Sequence, residues 1–168
     1  TAWTGLAMAG NNTNVRIGTG DFTIDFFAKY AGSGGGTIFA QEVVDEGSGN
    51  NTGWAMGIGA NTFSWGLGNG TAGYTYTSPV SFSNKWVQFT FGRQSSVFQF
   101  YVNGTRVATS SNLGTQDLNL AFSPRPDTPT MIGCYEQQAY SPYYGYISNL
   151  RFTIGTFVAP PINGYSST

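Results

Sequence analysis

The residues best suited to chemistry in this chain gather in one segment near its C-terminal end. Aromatic and polar side chains are interspersed there, and the residues of interest are Tyr135, Glu136, Gln137, Tyr140, Tyr143 and Tyr144, with Tyr146 flanking the segment. Sugars bind to aromatic faces that stack on their C–H surfaces, beside polar groups that pair with their hydroxyls. Tyrosine is also a favoured anchor at protein interfaces. The segment is therefore predicted to contact a glycan or another protein subunit, with packing of its tyrosines against the domain itself as the alternative.

Hydrolysis of a glycan would need two carboxyl groups, about 5 Å apart in enzymes that act through a covalent intermediate. The nearest candidate is the run Glu42-Val-Val-Asp-Glu46, whose spacing departs from the Glu-x-Asp-x-x-Glu pattern that places such groups on one strand face. The chain has eight acidic residues and no histidine. The usual general base and any Ser-His-Asp arrangement are therefore missing. We predict no enzymatic activity, and keep a glycan-cleaving enzyme as the alternative.

Charge excludes several classes of partner. Only 9% of the 168 residues are charged and the net charge is -1, so no basic field attracts nucleic acid or an anionic membrane. No apolar stretch reaches the roughly 18 residues of a membrane span. We expect neither nucleic-acid binding nor membrane insertion. A weakly charged surface gives little protection against association, which predicts membership of an oligomeric assembly.

The elements that must position the candidate residues are strands. Phe22 to Tyr30 alternates apolar and polar residues, which predicts a strand with Phe22, Ile24 and Phe26 toward a core and Asp25 on the more exposed face. Similar short segments recur along the chain, and none has a helical period. The pattern predicts one all-β domain, a sandwich or barrel.

The clearest local signal is the pair Asn103-Gly104, which favours a two-residue hairpin turn. The residues that such a turn would place opposite one another are Phe100 with Val107 and Phe98 with Thr109. In the last long segment, Gly145 to Ile154, burial of both Ile147 and Leu150 would require a bulge. Among the tryptophans, Trp54 and Trp65 are predicted to pack in the core or on a sheet face. Trp86, at the start of a core strand, is predicted to be structural.

Four segments, in this order, resemble the laminin G-like and pentraxin branch of the concanavalin A-like lectin/glucanase superfamily. They comprise residues 18–27, 86–93, 98–108 and the pair 131–133 with 145–152, about two-thirds of the chain. The resemblance implies a jelly-roll sandwich of two antiparallel sheets, formed as a single laminin G-like domain over residues 1–168. The fold hosts lectins, glycanases and adhesion domains alike, so it implies no single function.

The closing run Arg-Phe-Thr-Ile-Gly-Thr-Phe-Val-Ala-Pro-Pro, residues 151–161, is similar to the end of laminin G-like domains in phage fibres and other virion proteins. This resemblance implies a virion location, with an extracellular one as the alternative. The role it implies is a non-catalytic binding or structural module of a tail fibre, head fibre or capsid decoration protein. Such a module would contact a host-surface glycan or neighbouring virion subunits.

A calcium-dependent secreted lectin is the remaining alternative, and it rests on the pentraxin resemblance. Pentraxins take calcium ligands from a Glu-Gln-Asp run after an Ile-Gly strand, and Glu136-Gln137-Gln138 is similar to it. Gln138 stands where an aspartate is expected, so one negative charge that calcium favours is missing. Glu136 is thus a weak candidate ligand, and we predict that the domain needs no cofactor.

Overall fold

Strands account for all the regular secondary structure in the described part of the chain. The computed structural model describes residues 6–7, 17–32, 34–43, 52–67, 73–111, 118, 130–134 and 142–161. Its strands are β1 (Leu6–Ala7), β2 (Phe22–Tyr30), β3 (Gly36–Val43), β4 (Thr52–Ile58), β5 (Thr62–Leu67), β6 (Gly73–Thr77), β7 (Trp86–Gln94), β8 (Val97–Val102), β9 (Thr105–Ser110), β10 (Met131–Ile132) and β11 (Gly145–Ile154). The predicted all-β class is confirmed.

Two antiparallel sheets form the sandwich. One has six strands in the order β1-β10-β3-β4-β5-β6, and the other has five in the order β11-β2-β7-β8-β9. The last strand, β11, pairs with β2 near the start of the chain. Because distant parts of the chain are neighbours, neither sheet forms without long-range contacts. The predicted jelly-roll sandwich is confirmed.

The core lies between the sheets and is built largely from aromatic rings. Phe22, Ile24 and Phe26 of β2 are each 0% exposed, as the alternation predicted. Phe26 stacks on Phe89 of the same sheet at 5.7 Å between ring centroids. It also meets Phe39 of the other sheet edge-on at 5.1 Å. Each such buried side chain contributes about 1.5–3 kcal/mol of hydrophobic stabilisation, so β2 is a main contact between the two layers.

The β8–β9 hairpin has the predicted turn but a different register. Asn103 and Gly104 both have positive φ, at 48° and 75°, as the predicted turn type requires. The observed opposing pairs are Phe100 with Ala108 and Phe98 with Ser110, so the predicted register is wrong beyond the turn. A shift between Phe100 and Tyr101 adds one residue to β9. Val107 and Ala108 consequently both pack against the core, which strict alternation would not allow.

The bulge expected in β11 is present. The register with β2 shifts between Ser148 and Arg151, and both Ile147 and Leu150 pack against the core. The face of the five-stranded sheet that points away from the other sheet is called the outer face below. By strand register its residues are Tyr146, Ser148, Arg151, Lys29, Phe27, Asp25, Thr23, Trp86, Gln88, Thr90, Gly92, Gln99, Tyr101 and Arg106.

Candidate functional site

Two exposed aromatic side chains lie close together at one end of the outer face. Tyr146 of β11 is opposite Lys29 of β2, and Lys29 is opposite Trp86 of β7. The tyrosine is 62% exposed and the tryptophan 50%. Their ring centroids are 6.4 Å apart, although strands two positions apart are separated by about 9.5 Å. The rings therefore lean toward each other over Lys29, and Tyr146, Lys29 and Trp86 are called the aromatic row below.

Trp86 begins a core strand, as predicted, but its own side chain does not pack in the core. Val87, Phe89 and Phe91 of the same strand are buried toward the core, and position 86 has the opposite parity. Its side chain must therefore point away from the core. Trp54 and Trp65, by contrast, are 0% and 5% exposed, so the packing predicted for them is confirmed.

The predicted tyrosine-rich segment is described only at its end. Tyr135, Glu136, Gln137 and Tyr140 lie outside the described residues. Tyr143 is half-buried and packs on Tyr30, with ring centroids 6.1 Å apart. Its backbone N–H also donates to the Gly133 carbonyl at 2.8 Å. Tyr143 therefore packs against the domain itself, which was the alternative to a ligand contact.

Tyr144 has the opposite environment. It is 45% exposed, and its carbonyl accepts a 2.8 Å hydrogen bond from the Ala31 N–H beyond the end of β2. This bond continues the β11–β2 ladder by one pair, so Tyr144 follows Tyr146 on the same face. Of the described residues predicted from the segment, Tyr144 is thus the one beside the aromatic row.

Burial of Tyr30 and Tyr143 makes the stability of the fold depend on pH in the alkaline range. The hydroxyls of both residues are buried and have no hydrogen-bond partner. Burial raises the pKa of each above the ordinary 10.0, and the neighbouring Tyr30 raises that of Tyr143 further. The folded state therefore holds these protons more tightly than the unfolded chain does. Their stabilising effect is complete below about pH 10 and is lost as the pH rises beyond it.

We expect Tyr143→Phe to weaken this alkaline loss of stability. At about pH 7 the variant should match or exceed the wild type by up to about 1 kcal/mol, because it removes an unpaired buried hydroxyl. At about pH 11 its stability advantage over the wild type should grow, since one of the two tyrosines with a raised pKa is gone. Urea unfolding at the two pH values measures both effects. Tyr146→Phe, whose hydroxyl lies on an exposed side chain, is the control, and an equal gain in that variant would contradict the prediction.

A buried carboxylate organises the middle of the outer face. Asp25 is 6% exposed, which corrects the expectation that it lies on an exposed face. Its Oδ1 accepts hydrogen bonds from Gln88 Nε2 at 3.0 Å and from Thr90 Oγ1 at 2.8 Å. Its Oδ2 accepts one from an Arg151 guanidinium nitrogen at 3.1 Å. These three side chains surround the carboxylate, which in turn holds the half-exposed Arg151 in place.

The C-terminal segment closes the far end of the outer face. Thr23 Oγ1 donates to the Thr156 carbonyl at 3.2 Å and accepts from the Val158 N–H at 2.7 Å. Phe157 packs on Tyr101, with ring centroids 6.0 Å apart. A Cβ atom on Gly92 would lie 2.7 Å from the Phe157 ring, so the glycine makes room for this contact. The residues of the outer face that are most exposed are therefore Tyr146 and Trp86 at one end and, beyond the buried Asp25 cluster, Arg151 and Arg106.

Within the described ranges, no group of three or more His, Cys, Asp or Glu residues is placed to hold a metal ion. Glu136, the weak calcium candidate, lies outside those ranges, so its role stays a prediction. The same ranges contain no helix with the length and apolarity that a membrane crossing needs.

Comparison with protein-family models matches residues 6–158 to Laminin_G_3, described as the concanavalin A-like lectin/glucanases superfamily. The chain belongs to this family. The resemblance seen in its four sequence segments is thereby confirmed. Comparison with curated protein sequences gives no significant match.

Solved structures with the same fold come from distant sources. The Ruminococcus gnavus IT-sialidase CBM40, bound to alpha2,3 sialyllactose, has a TM-score of 0.65 at 12% identity over 89% of each chain. Domains LG4-5 of the mouse laminin alpha1 chain give 0.58 at 14% identity, over 91% of this chain and 39% of that one. The heptameric SAP-like pentraxin of Limulus polyphemus gives 0.54 at 15% identity, over 82% and 65%. At these identities the likeness establishes the fold of this Laminin_G_3 domain.

Sequence reasoning missed most of the site in this Laminin_G_3 domain. The outward direction of Trp86 was available from parity, since the apolar residues of β7 that face the core, Val87, Phe89 and Phe91, are at odd positions. The proximity of Trp86 to Tyr146, and of Asp25 to Arg151, had no local signal. These pairs are 60 and 126 residues apart in the chain, and only strand pairing brings them together.

Proposed function

We propose that this domain is a non-catalytic carbohydrate-binding module whose ligand stacks on the aromatic row. The observation that carries the proposal is the exposed pair Trp86 and Tyr146, with ring centroids 6.4 Å apart at one end of the outer face. Exposed rings offer their faces to sugar C–H surfaces, and the adjacent ammonium of Lys29 offers donors to hydroxyl oxygens. The sialyllactose bound to the Ruminococcus gnavus structure supports a glycan as the ligand class.

The arrangement of the carboxylates supports a non-catalytic role. The side chains described in the structure include two carboxylates, Asp21 and Asp25. Asp25 is occupied by Gln88, Thr90 and Arg151, and Asp21 accepts a 2.9 Å hydrogen bond from the Ser95 backbone N–H. Both are thus engaged in holding the fold, whereas a glycosidase needs its pair directed at the scissile bond.

A glycan array with the wild-type domain and with Trp86→Ala tests the proposal. Removing one stacking face should weaken binding about tenfold or more, a loss typical of an aromatic binding anchor. Tyr146→Ala should weaken it similarly. Val80→Ala is the control, because Val80 is 62% exposed in the loop between β6 and β7 and lies outside the outer face. Circular dichroism of each variant verifies the fold.

Several outcomes of the array would contradict this assignment. Binding that survives Trp86→Ala but is lost in Tyr144→Ala would move the site to the tyrosine-rich segment. Binding that requires calcium and disappears with EDTA would favour the calcium-dependent lectin. Release of new reducing ends from a bound glycan would establish a glycan-cleaving enzyme.

A virion location, with neighbouring virion subunits as further partners, is proposed on the sequence resemblance of residues 151–161 alone. In the structure this segment forms the end of β11 and the stretch that crosses the outer face. That placement serves the domain's own packing. An extracellular location stays the alternative, and an oligomeric assembly stays a prediction that rests on the low charge of the chain.

A further inference from the structure

The exposed positive charges in the described part of this weakly acidic chain are concentrated on one face. By register, Lys29, Arg106 and Arg151 all point outward from the five-stranded sheet. Lys85, directly before Trp86, is exposed beside them. The fifth described cation, Arg93, is fully buried. Every exposed cation in the described ranges therefore lies on or next to the outer face.

Negative charge on this face is nearly cancelled. Its one carboxylate, Asp25, is buried and paired with Arg151. Among the described residues, Lys29, Lys85 and Arg106 have no counterion within salt-bridge distance. The net charge of the chain is -1, yet the described residues of the outer face leave an excess of positive charge. Such an excess of positive charge on exposed side chains favours an anionic ligand.

The distances between the cations are those that a short stretch of an anionic polymer could span. Arg151, Asp25, Thr90, Tyr101 and Arg106 form one line across the five strands. At about 4.8 Å per strand the line is about 19 Å long. Lys29 lies on β2 four residues from Asp25, which is about 13 Å along the strand. The cations thus lie around the buried Asp25 cluster, with the aromatic row at one edge of the face.

Arg151 has the geometry of a prepositioned anion donor. Its side chain is 50% exposed while one guanidinium nitrogen is held by Asp25 Oδ2 at 3.1 Å. A guanidinium has five N–H donors in a fixed fork, so donors remain for a carboxylate or sulfate. Because Asp25 is itself held by Gln88 and Thr90, the fork is oriented before any ligand arrives. This orientation lowers the entropy cost of binding.

We propose that the outer face selects an anionic saccharide, carboxylated or sulfated, whose sugar rings stack on the aromatic row while Lys29, Arg151 and Arg106 pair with its acidic groups. This inference rests on the proposed carbohydrate-binding function and names its ligand class. A neutral glycan would leave the ammonium between two rings without a charged partner. An extended anionic surface such as a membrane would need more positive charge than the described face carries.

Matched polymers of equal backbone test the charge requirement. Dextran sulfate is compared with dextran, and polygalacturonate with its methyl ester, by isothermal titration calorimetry at low salt. We expect the anionic member of at least one pair to bind about tenfold or more tightly than its neutral partner. Added salt should weaken that preference, because exposed charges are screened. The pair that shows the larger preference identifies sulfate or carboxylate as the recognised group.

Variants separate a local site from the effect of net charge. Lys29→Gln should weaken binding of the preferred anionic polymer about fivefold, the loss of one charge-assisted contact, and should weaken binding of its neutral partner less. Thr75→Lys is the matched control, because Thr75 is exposed on β6 in the opposite sheet. Combined with Lys29→Gln it restores the net charge at a different place. We expect the double variant to bind as weakly as Lys29→Gln alone.

If the two polymers of each pair bind with equal affinity, and Trp86→Ala abolishes that binding, the anionic selectivity is overturned and the carbohydrate-binding proposal stays intact. Recovery of binding in the double variant would also overturn it, because net charge alone would then explain the preference. If Trp86→Ala leaves the affinity for the anionic polymer unchanged, the stacking site itself is overturned. Absence of binding to all four polymers would overturn the selectivity, and the glycan array would decide the broader proposal independently.

Discussion

Replacing Arg93 by methionine should lower the free energy of unfolding by about 3 kcal/mol or more. The side chain is 0% exposed. Its Nε donates to the Gly20 carbonyl at 2.9 Å, and a terminal nitrogen donates to the Gly18 and Gly20 carbonyls at 2.7 and 2.6 Å. Hydrogen bonds to a charged group contribute about 1.5–3 kcal/mol each, and methionine can make none of them. Urea unfolding followed by tryptophan fluorescence measures the difference.

The surroundings of Arg93 explain why a charge is tolerated there. The guanidinium carbon lies 5.7 Å from the centroid of the Phe22 ring and 5.6 Å from that of Phe98. Contacts between a cation and aromatic faces gain strength when both are removed from water. The arginine thereby joins the segment before β2 to the β7–β8 hairpin, and its loss should release that segment.

Two further substitutions make the Arg93 prediction specific. Arg93→Lys keeps the charge but loses the fork that reaches two carbonyls, so an intermediate loss is expected. Arg106→Met removes an exposed arginine from the same sheet and should change stability by no more than about 0.5 kcal/mol. If Arg93→Met unfolds at the same urea concentration as the wild type, the buried contacts do not stabilise the fold as argued.

Asp25→Ala should cost about 2–4 kcal/mol of unfolding free energy. The carboxylate is the acceptor for Gln88 Nε2 and Thr90 Oγ1, and both of those residues are 1% exposed. Each buried donor left without a partner costs about 1–3 kcal/mol. Arg151 adds little to the sum, since its half-exposed side chain regains water when the pair is broken.

Arg151→Gln and Asp25→Asn divide this effect into its parts. Arg151→Gln should lose less than about 1 kcal/mol, as expected for a partly exposed ion pair. Asp25→Asn keeps one carbonyl acceptor and should lie between the wild type and Asp25→Ala. Thermal unfolding of the three variants ranks them. A cost for Arg151→Gln equal to that for Asp25→Ala would show that the ion pair, and not the buried donors, carries the stabilisation.

The Asp25 variants also bear on function. If this aspartate has a structural role, Asp25→Asn should keep the domain folded and weaken glycan binding only through the orientation of Arg151. Any hydrolysis of a bound glycan that disappears in Asp25→Asn would instead identify the aspartate as a catalytic group. A catalytic Asp25 would release new reducing ends and a structural Asp25 would not, so a reducing-end assay distinguishes the two roles.

Local pattern alone determined the strands and the faces of this protein. The alternation in Phe22–Tyr30 predicted a strand whose apolar residues are fully buried, and Asn103-Gly104 predicted the turn between β8 and β9. These features follow from backbone geometry, because side chains of a strand alternate with period two and few residues accept positive φ. The bulge in β11 was likewise foreseen from the spacing of its apolar residues.

The partners across strands were decided only by the tertiary structure. Trp86 meets Tyr146 because β2 separates their strands by one position, and Asp25 is buried because β11 brings Arg151 beside it. Arg93 is buried beside the rings of Phe22 and Phe98. Those rings belong to β2 and β8, so the sequence of β7 does not indicate this burial. Alternation states which residues share a face within one strand. Which strands become neighbours depends on how chain-distant segments pack into a common core, and that arrangement created the aromatic row and the charged face.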